Sequence, residues 1–160
     1  MTLRNSLLLF VLLFSISCGN NNPLDFGPVY TNAPDPFSVD GITPDTTESG
    51  LIIYTLEEGS GQLSVELRDD ILLFFTGRTT DLEIFDSSYR NLETDPSRLT
   101  ISNLIDGFTE GVLGMKEGGK RVLVIPPELA YLNYTGNSRT LIDLRNDTLV
   151  FDIELDTIIF

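Results

Sequence analysis

Histidine is absent from this chain of 160 residues, and cysteine occurs once. The first absence removes the commonest general base and metal ligand of proteins from consideration. The single cysteine excludes a disulfide within the chain. Basic residues are scarce too, since ten Lys and Arg stand against 24 Asp and Glu. The net charge of −14 excludes bulk attraction to nucleic-acid phosphate and favours a role in keeping the protein soluble.

Long apolar runs are also missing from the sequence. The longest runs from Leu7 to Phe14, which is too short for a bilayer span of about 20 residues. It follows Arg4 and ends shortly before Cys18, the pattern of a secretory signal over residues 1–17. The Cys after residues 15–17 resembles a bacterial lipobox, which implies that Cys18 is lipidated and becomes the first residue. A plain cleaved signal is the alternative.

Residues 18–49 have the composition of a linker. Asn, Pro, Asp, Ser and Thr dominate this segment, which contains no Lys or Arg, and no helical or strand period persists. We predict a flexible tether that separates the membrane from a domain over residues 50–160. Phe26, Val29, Tyr30 and Phe37 are more apolar than a spacer requires. Packing of part of the tether on the domain is therefore the alternative.

The remaining sequence alternates between strand patterns and turns. Within residues 51–61 a strand is predicted to run into a Gly-containing turn, and further strands are predicted over 71–77, 83–86, 99–102, 122–125 and 149–159. Phe108, Val112 and Met115 lie at i, i+4 and i+7, which predicts a short helix with one apolar face. Ser102 or Asn103 is expected to cap this helix. The pattern predicts an α+β domain, in which an antiparallel β-sheet wraps around one short α-helix.

Four stretches of the chain carry a family resemblance. They are LLFFTG (72–77), FDSS (85–88), LIDGFTEGVLGMKEGGKRVLVIPPELAY (104–131) and TLVFDIEL (148–155). In this order they resemble the FKBP-type peptidyl-prolyl cis-trans isomerases, and the likeness covers roughly residues 50 to 160. The resemblance implies the FKBP-like fold and an exported isomerase that assists the folding of envelope proteins. Its partners would be proline-containing or unfolded polypeptides and a membrane, reached through the lipid, but not nucleic acid.

The resemblance also implies a binding site, an apolar bowl between helix and sheet that needs no cofactor or metal. Asp86, Phe108 and Tyr131 take the catalytic positions, and the Tyr131 hydroxyl would bond to the ligand. The substrate-binding positions are Phe75, Phe85, Leu104, Ile105, Ile142 and Phe151, with Leu141 as the alternative to Ile142. Such a bowl suits the chemistry, because the twisted transition state of a prolyl bond loses amide resonance and much of its dipole.

Other interpretations of the same residues stay open. The four phenylalanines are typical of the core of any sheet domain, and Asp86 is typical of a turn. Phe75 stands where the family usually has Tyr, Leu132 stands where it nearly always has Gly, and the loop 132–147 lacks the usual Ile-Pro-Pro. These departures favour a chaperone or binding module with little or no turnover. A scaffold protein whose bowl is filled by Leu132 or by residues 139–145 is the third possibility.

Overall fold

The computed structural model describes residues 28–160, except for the side chains of Arg139 and Ile142. The predicted signal peptide and Cys18 lie outside this range. The strands are β1 (Asp45–Thr46), β2 (Ile52–Glu57), β3 (Asp70–Thr79), β4 (Ile84–Ser87), β5 (Ser97–Thr100), β6 (Lys120–Ile125) and β7 (Leu149–Ile159). The helices are α1 (Asp106–Val112) and α2 (Arg139–Asp143). Over the described residues, neither helix has the length and apolar character that a membrane crossing requires.

The strands form one antiparallel sheet in the order β1-β2-β6-β7-β3-β4, and β5 pairs with β3 beyond the end of β4. β7 lies at the centre and pairs along its length with β3, and over residues 149–154 with β6. Side chains alternate between the two faces of a strand, and the inner face of β7 carries the buried Phe151, Ile153 and Leu155. This architecture, a sheet that packs on the short helix α1, is the predicted α+β fold.

Helix α1 packs close to the sheet because two of its residues have no side chain. A Cβ atom at Gly107 would lie 2.4 Å from Ile125 Cγ2, and one at Gly111 would lie 2.3 Å from Leu123 Cδ1. Packing against β6 therefore offsets the low helix propensity of glycine, as the sequence predicts. The predicted cap is wrong, because the helix begins at Asp106 and Ile105 precedes it without a side-chain capping bond.

Residues 28–37, here called the cover segment, pack on the domain, and residues 34–37 lie against the outer face of the sheet. There Arg78 of β3 and Asp152 of β7 form an ion pair whose side chains are only 4% and 5% exposed. Arg78 also donates to the carbonyl of Pro34, and the Phe37 amide donates to Asp152 Oδ1 over 3.3 Å. The cover segment thus supplies two partners of a buried charge pair.

The packing of residues 28–49 differs from the flexible tether predicted over 18–49. The Tyr30 hydroxyl, the Pro34 carbonyl and the Phe37 amide all bond to the sheet, and β1 pairs with β2. The physical reason is that the sheet presents a buried ion pair and free backbone groups that this segment satisfies. The alternative, that part of the segment packs on the domain, matches these contacts. Helix α2 within the loop 132–147 was also not predicted.

Candidate functional site

Three phenylalanines from three elements form the floor of a pocket between α1 and the sheet. Phe75 lies on β3, Phe108 on α1 and Phe151 on β7, and each is at most 5% exposed. Phe108 meets Phe151 edge to face with ring centroids 5.0 Å apart, and it meets Phe75 at 6.3 Å in the same manner. Edge-to-face contacts of this kind fix the orientation of the rings. The floor is therefore rigid and apolar.

Phe85 of β4 forms one side of the pocket. Its ring meets Phe151 edge to face at a centroid distance of 5.5 Å. Both rings close over Gly77 of β3, where a Cβ atom would lie 2.7 Å from Phe151 Cε1 and 2.7 Å from Phe85 Cζ. The glycine of the Phe-Thr-Gly sequence is thus required by the two rings. A larger residue would push Phe85 or Phe151 out of place.

Asp86 is the acidic group of the pocket. Burial raises the pKa of its carboxyl group, and the Arg90 guanidinium and the Ser87 amide oppose this shift. Arg90 lies 3.9 Å from Asp86 Oδ1, and the Ser87 amide donates to the same oxygen over 2.9 Å. A carboxyl group beside an apolar floor, with one oxygen engaged, can accept a hydrogen bond from a bound molecule through the other.

Tyr131 lines the pocket and follows the turn at Pro127–Leu129. Burial raises the pKa of its hydroxyl group, and the nearby charge of Asp86 raises it further. Its ring meets Tyr134 edge to face, with centroids 6.3 Å apart. Tyr131 therefore presents a neutral hydroxyl to the pocket over the whole neutral range, and this hydroxyl can donate to a carbonyl oxygen.

The cavity measures about 290 Å³ and collects most of the predicted site residues. Its lining consists of Phe75, Phe85, Asp86, Leu99, Asn103, Leu104, Ile105, Phe108, Tyr131, Leu141 and Phe151. Every predicted position is present except Ile142, whose side chain lies outside the described structure. Leu141, the stated alternative, lines the cavity. Leu99 and Asn103 were not predicted as site residues, although they flank the turn that leads into α1.

The pocket is open, which argues against a bowl filled by the protein itself. Leu132 is not among the lining residues and its side chain is 39% exposed. The Leu132 amide donates to the carbonyl of Pro127 over 3.1 Å, so a residue other than Gly closes this turn without entering the cavity. Among residues 28–160, no three acidic or thiol side chains converge as a metal site would require.

Comparison with known families extends these observations. The family model described as FKBP-type peptidyl-prolyl cis-trans isomerase matches residues 61–156. Among curated proteins, the chain is 38% identical over 110 residues to the FKBP-type peptidyl-prolyl cis-trans isomerase FkpA of Escherichia coli K12, covering 69% of this chain and 38% of FkpA. It is 37% identical over 106 residues to the FK506-binding protein of Neisseria meningitidis serogroup B, covering 66% of this chain and 94% of that protein.

Solved structures agree with the sequence comparison. The crystal structure of FkpA from Escherichia coli matches with a TM-score of 0.60 and 34% identity, over 72% of this chain and 51% of that one. The crystal structure of AtFKBP13 matches with a TM-score of 0.59 and 30% identity, over 72% of this chain and 98% of that one. The chain spans about two fifths of the length of FkpA, its first curated relative.

Proposed function

Because the chain belongs to the FKBP-type peptidyl-prolyl cis-trans isomerase family, we propose that it catalyses the rotation of X–Pro peptide bonds in polypeptide substrates. The observation that carries this proposal is the convergence of Phe75, Phe108 and Phe151 under Asp86 and Tyr131 in one open cavity. The cavity, about 290 Å³ in volume, has room for a prolyl residue and part of its chain neighbours but not for a folded surface. A prolyl ring on the aromatic floor places its peptide bond between the two polar groups.

The pocket lowers the barrier to rotation by favouring the twisted amide. Amide resonance gives the bond a barrier of about 20 kcal/mol, and this resonance is lost when the bond turns by a right angle. The twisted amide has a smaller dipole, so an apolar floor that excludes water favours it over the planar ground state. The Tyr131 hydroxyl can fix a neighbouring carbonyl while Asp86 accepts a hydrogen bond at the rim. No covalent step is involved.

A prolyl isomerisation assay on the full chain tests this function. We expect the wild type to accelerate cis-to-trans relaxation of a short X–Pro peptide. Phe108→Ala should reduce kcat/KM by a factor of about ten or more, since it removes the centre of the floor. Asp86→Asn and Tyr131→Phe should reduce it by a factor of about ten, the equivalent of one good hydrogen bond. Asp81→Asn and Tyr54→Phe, outside the pocket, are the matched controls.

A binding module with little turnover is the second candidate. Phe75 lacks the hydroxyl group that a Tyr would add to the floor, and this is the observation that favours it. A wild-type protein that binds prolyl peptides or unfolded chains, competes at the same pocket and leaves the relaxation rate unchanged would establish this alternative. In that case Phe75→Tyr should bring in measurable turnover, whereas Phe74→Tyr on the outer face should not.

We further infer that the domain works in the cell envelope, attached through a lipid on Cys18, and there assists the folding of exported proteins. The support is the sequence pattern of residues 1–18, which lies outside the described structure. Several acyl chains, at about 0.8 kcal/mol per buried CH₂, suffice for stable attachment. Expression in a bacterium with a labelled fatty acid should label the wild type and leave Cys18→Ser unlabelled. A mature protein that begins after Cys18 and carries no label would show a plain cleaved signal.

A further inference from the structure

Strand β4 contains a bulge at the residue that forms the side of the pocket. The register pairs Arg78 with Ile84 and Gly77 with Asp86, so Phe85 has no partner on β3. A bulge leaves its extra residue outside the ladder and redirects the neighbouring side chains. The Phe85 carbonyl group is therefore free to accept a bond from elsewhere, and the Tyr30 hydroxyl of the cover segment donates to it over 3.1 Å.

The cover segment also secures the loop that follows β4. The Asn91 amide donates to the Val29 carbonyl over 2.7 Å, and the Val29 amide donates back to Asn91 Oδ1 over 3.2 Å. Asn32 Nδ2 donates to the carbonyl of Glu93 over 3.0 Å. Asn91 and Leu92 have φ values of 53° and 67°, a conformation that costs energy in residues other than glycine. The contacts of the cover segment stabilise this conformation.

Both attachments act on the same side of the pocket. Phe85 and Asp86 lie between the bonded carbonyl and the secured loop, and Arg90, the cation nearest to Asp86, belongs to that loop. The Tyr30 hydroxyl is close enough to Asp86 that the carboxylate raises its pKa, after the larger effect of burial. Tyr30 itself is not among the residues that line the cavity. It therefore acts on a bound peptide only through the residues that it supports.

We propose that Tyr30 is a positioning residue, whose hydroxyl bond to the bulged Phe85 carbonyl sets the place of Phe85 and Asp86 in the pocket. The proposal rests on the proposed function where it concerns turnover, but its structural part does not. It makes the cover segment, outside the stretch matched by the family model, part of the binding site. The distance between the Phe85 ring and the floor then depends on a residue 55 positions earlier in the chain.

The test compares Tyr30→Phe with Tyr54→Phe in the full chain, well below the melting temperature. Tyr30→Phe removes one hydroxyl and keeps the ring, whereas Tyr54 lies on β2, outside the cavity lining. Amide hydrogen exchange over residues 84–93 needs no substrate. We expect it to be several-fold faster in Tyr30→Phe and unchanged in Tyr54→Phe. Affinity for an X–Pro peptide, measured by calorimetry, should fall by a factor of about three to ten, the equivalent of one neutral hydrogen bond.

A second variant separates positioning from general stability. Asp152→Asn weakens the outer-face attachment of the cover segment and leaves the Tyr30 bond in place. If Tyr30 acts by positioning, Asp152→Asn lowers the melting temperature but keeps the peptide affinity. Tyr30→Phe lowers the peptide affinity but keeps the melting temperature. Exchange and affinity of Tyr30→Phe equal to those of Tyr54→Phe would overturn the proposal. A wild type that binds peptide without turnover would refute the isomerase function alone, since exchange and affinity still decide the role of Tyr30.

Discussion

Removing the positive member of the outer-face ion pair should destabilise the domain strongly. Arg78→Met keeps the length and apolar stem of the side chain and deletes the guanidinium. Asp152, only 5% exposed, then loses its counter-charge and keeps the single bond from the Phe37 amide. Loss of one member of a buried ion pair typically costs about 3–5 kcal/mol, because the other charge remains desolvated. This is a large part of a typical stability of about 5–15 kcal/mol.

The cover segment limits this cost. Its residues 34–37 can lift from the sheet and let water reach Asp152, so the loss of stability equals the smaller of two free-energy penalties. One is an unpaired buried carboxylate, and the other is the loss of the contacts of the segment. We therefore expect a decrease of about 2–4 kcal/mol in the free energy of unfolding, somewhat below the full penalty for an unpaired charge. Lifting would appear as faster hydrogen exchange at the Phe37 amide.

Urea denaturation at neutral pH measures the effect, with Arg98→Met as the matched control. Arg98 pairs with Asp70 over 2.7 Å, but its side chain is 62% exposed, so its loss should cost about 1 kcal/mol or less. Adding Asp152→Leu to Arg78→Met removes the stranded charge and should recover most of the stability. If Arg78→Met and Arg98→Met have the same effect, the outer-face pair is solvated in solution and the reasoning fails.

The pH dependence gives the same prediction a second check. Burial raises the pKa of Asp152 in the folded protein, and Arg78 acts against this shift. Without Arg78 the pKa should rise further. A carboxyl group whose folded pKa exceeds its unfolded value binds a proton more readily when folded, so stability increases as the pH falls through that range. The penalty of Arg78→Met should thus shrink in acid, and a penalty that stays constant down to low pH would contradict it.

Three further changes have defined outcomes. Gly77→Ala should cost about 1–3 kcal/mol and weaken peptide binding, since its methyl group would lie 2.7 Å from Phe151; wild-type urea midpoint and affinity would disprove the close approach. Gly111→Ala gains about 1 kcal/mol of helix propensity, but its methyl group would overlap Leu123. The free energy of unfolding should therefore decrease, and a stabilised variant would mean that α1 shifts freely. Burial raises the pKa of Asp86, so the contribution of this group to stability should fall as the pH rises above 3.8; Asp86→Asn lacks this contribution and should lose less stability than the wild type over that range, and equal slopes would refute the shift.

Much of the fold follows from local pattern. The alternation of apolar and acidic residues predicts β7 over residues 149–159, the range that the structure has. The glycines of α1 contradict helix propensity, yet the apolar spacing still predicts the helix. Helix α2 was missed because its five residues lack an apolar period long enough to recognise. β1 was missed because two residues carry no strand pattern at all.

The site was predictable for a different reason. Most of its residues belong to stretches that resemble a known family, and that resemblance implies that Phe75, Phe108 and Phe151 share one pocket. Tyr30 could not be found in this way, because its role depends on a carbonyl group freed by a bulge 55 residues later. The only signal was a cluster of apolar residues in a segment with linker composition. Composition detects such residues, but the sequence does not show what they contact.

The central place of β7 has a consequence for how the domain reaches its native state. Until residues 149–159 have been synthesised, the pair β2–β6 and the group β3–β4–β5 share no strand. The two groups of strands can collapse onto each other, but no strand pairing joins them. Each group exposes a long row of unpaired amide and carbonyl groups. Pairings this distant along the chain form slowly. A protein proposed to help other chains fold would itself be unable to finish until its final strand is inserted.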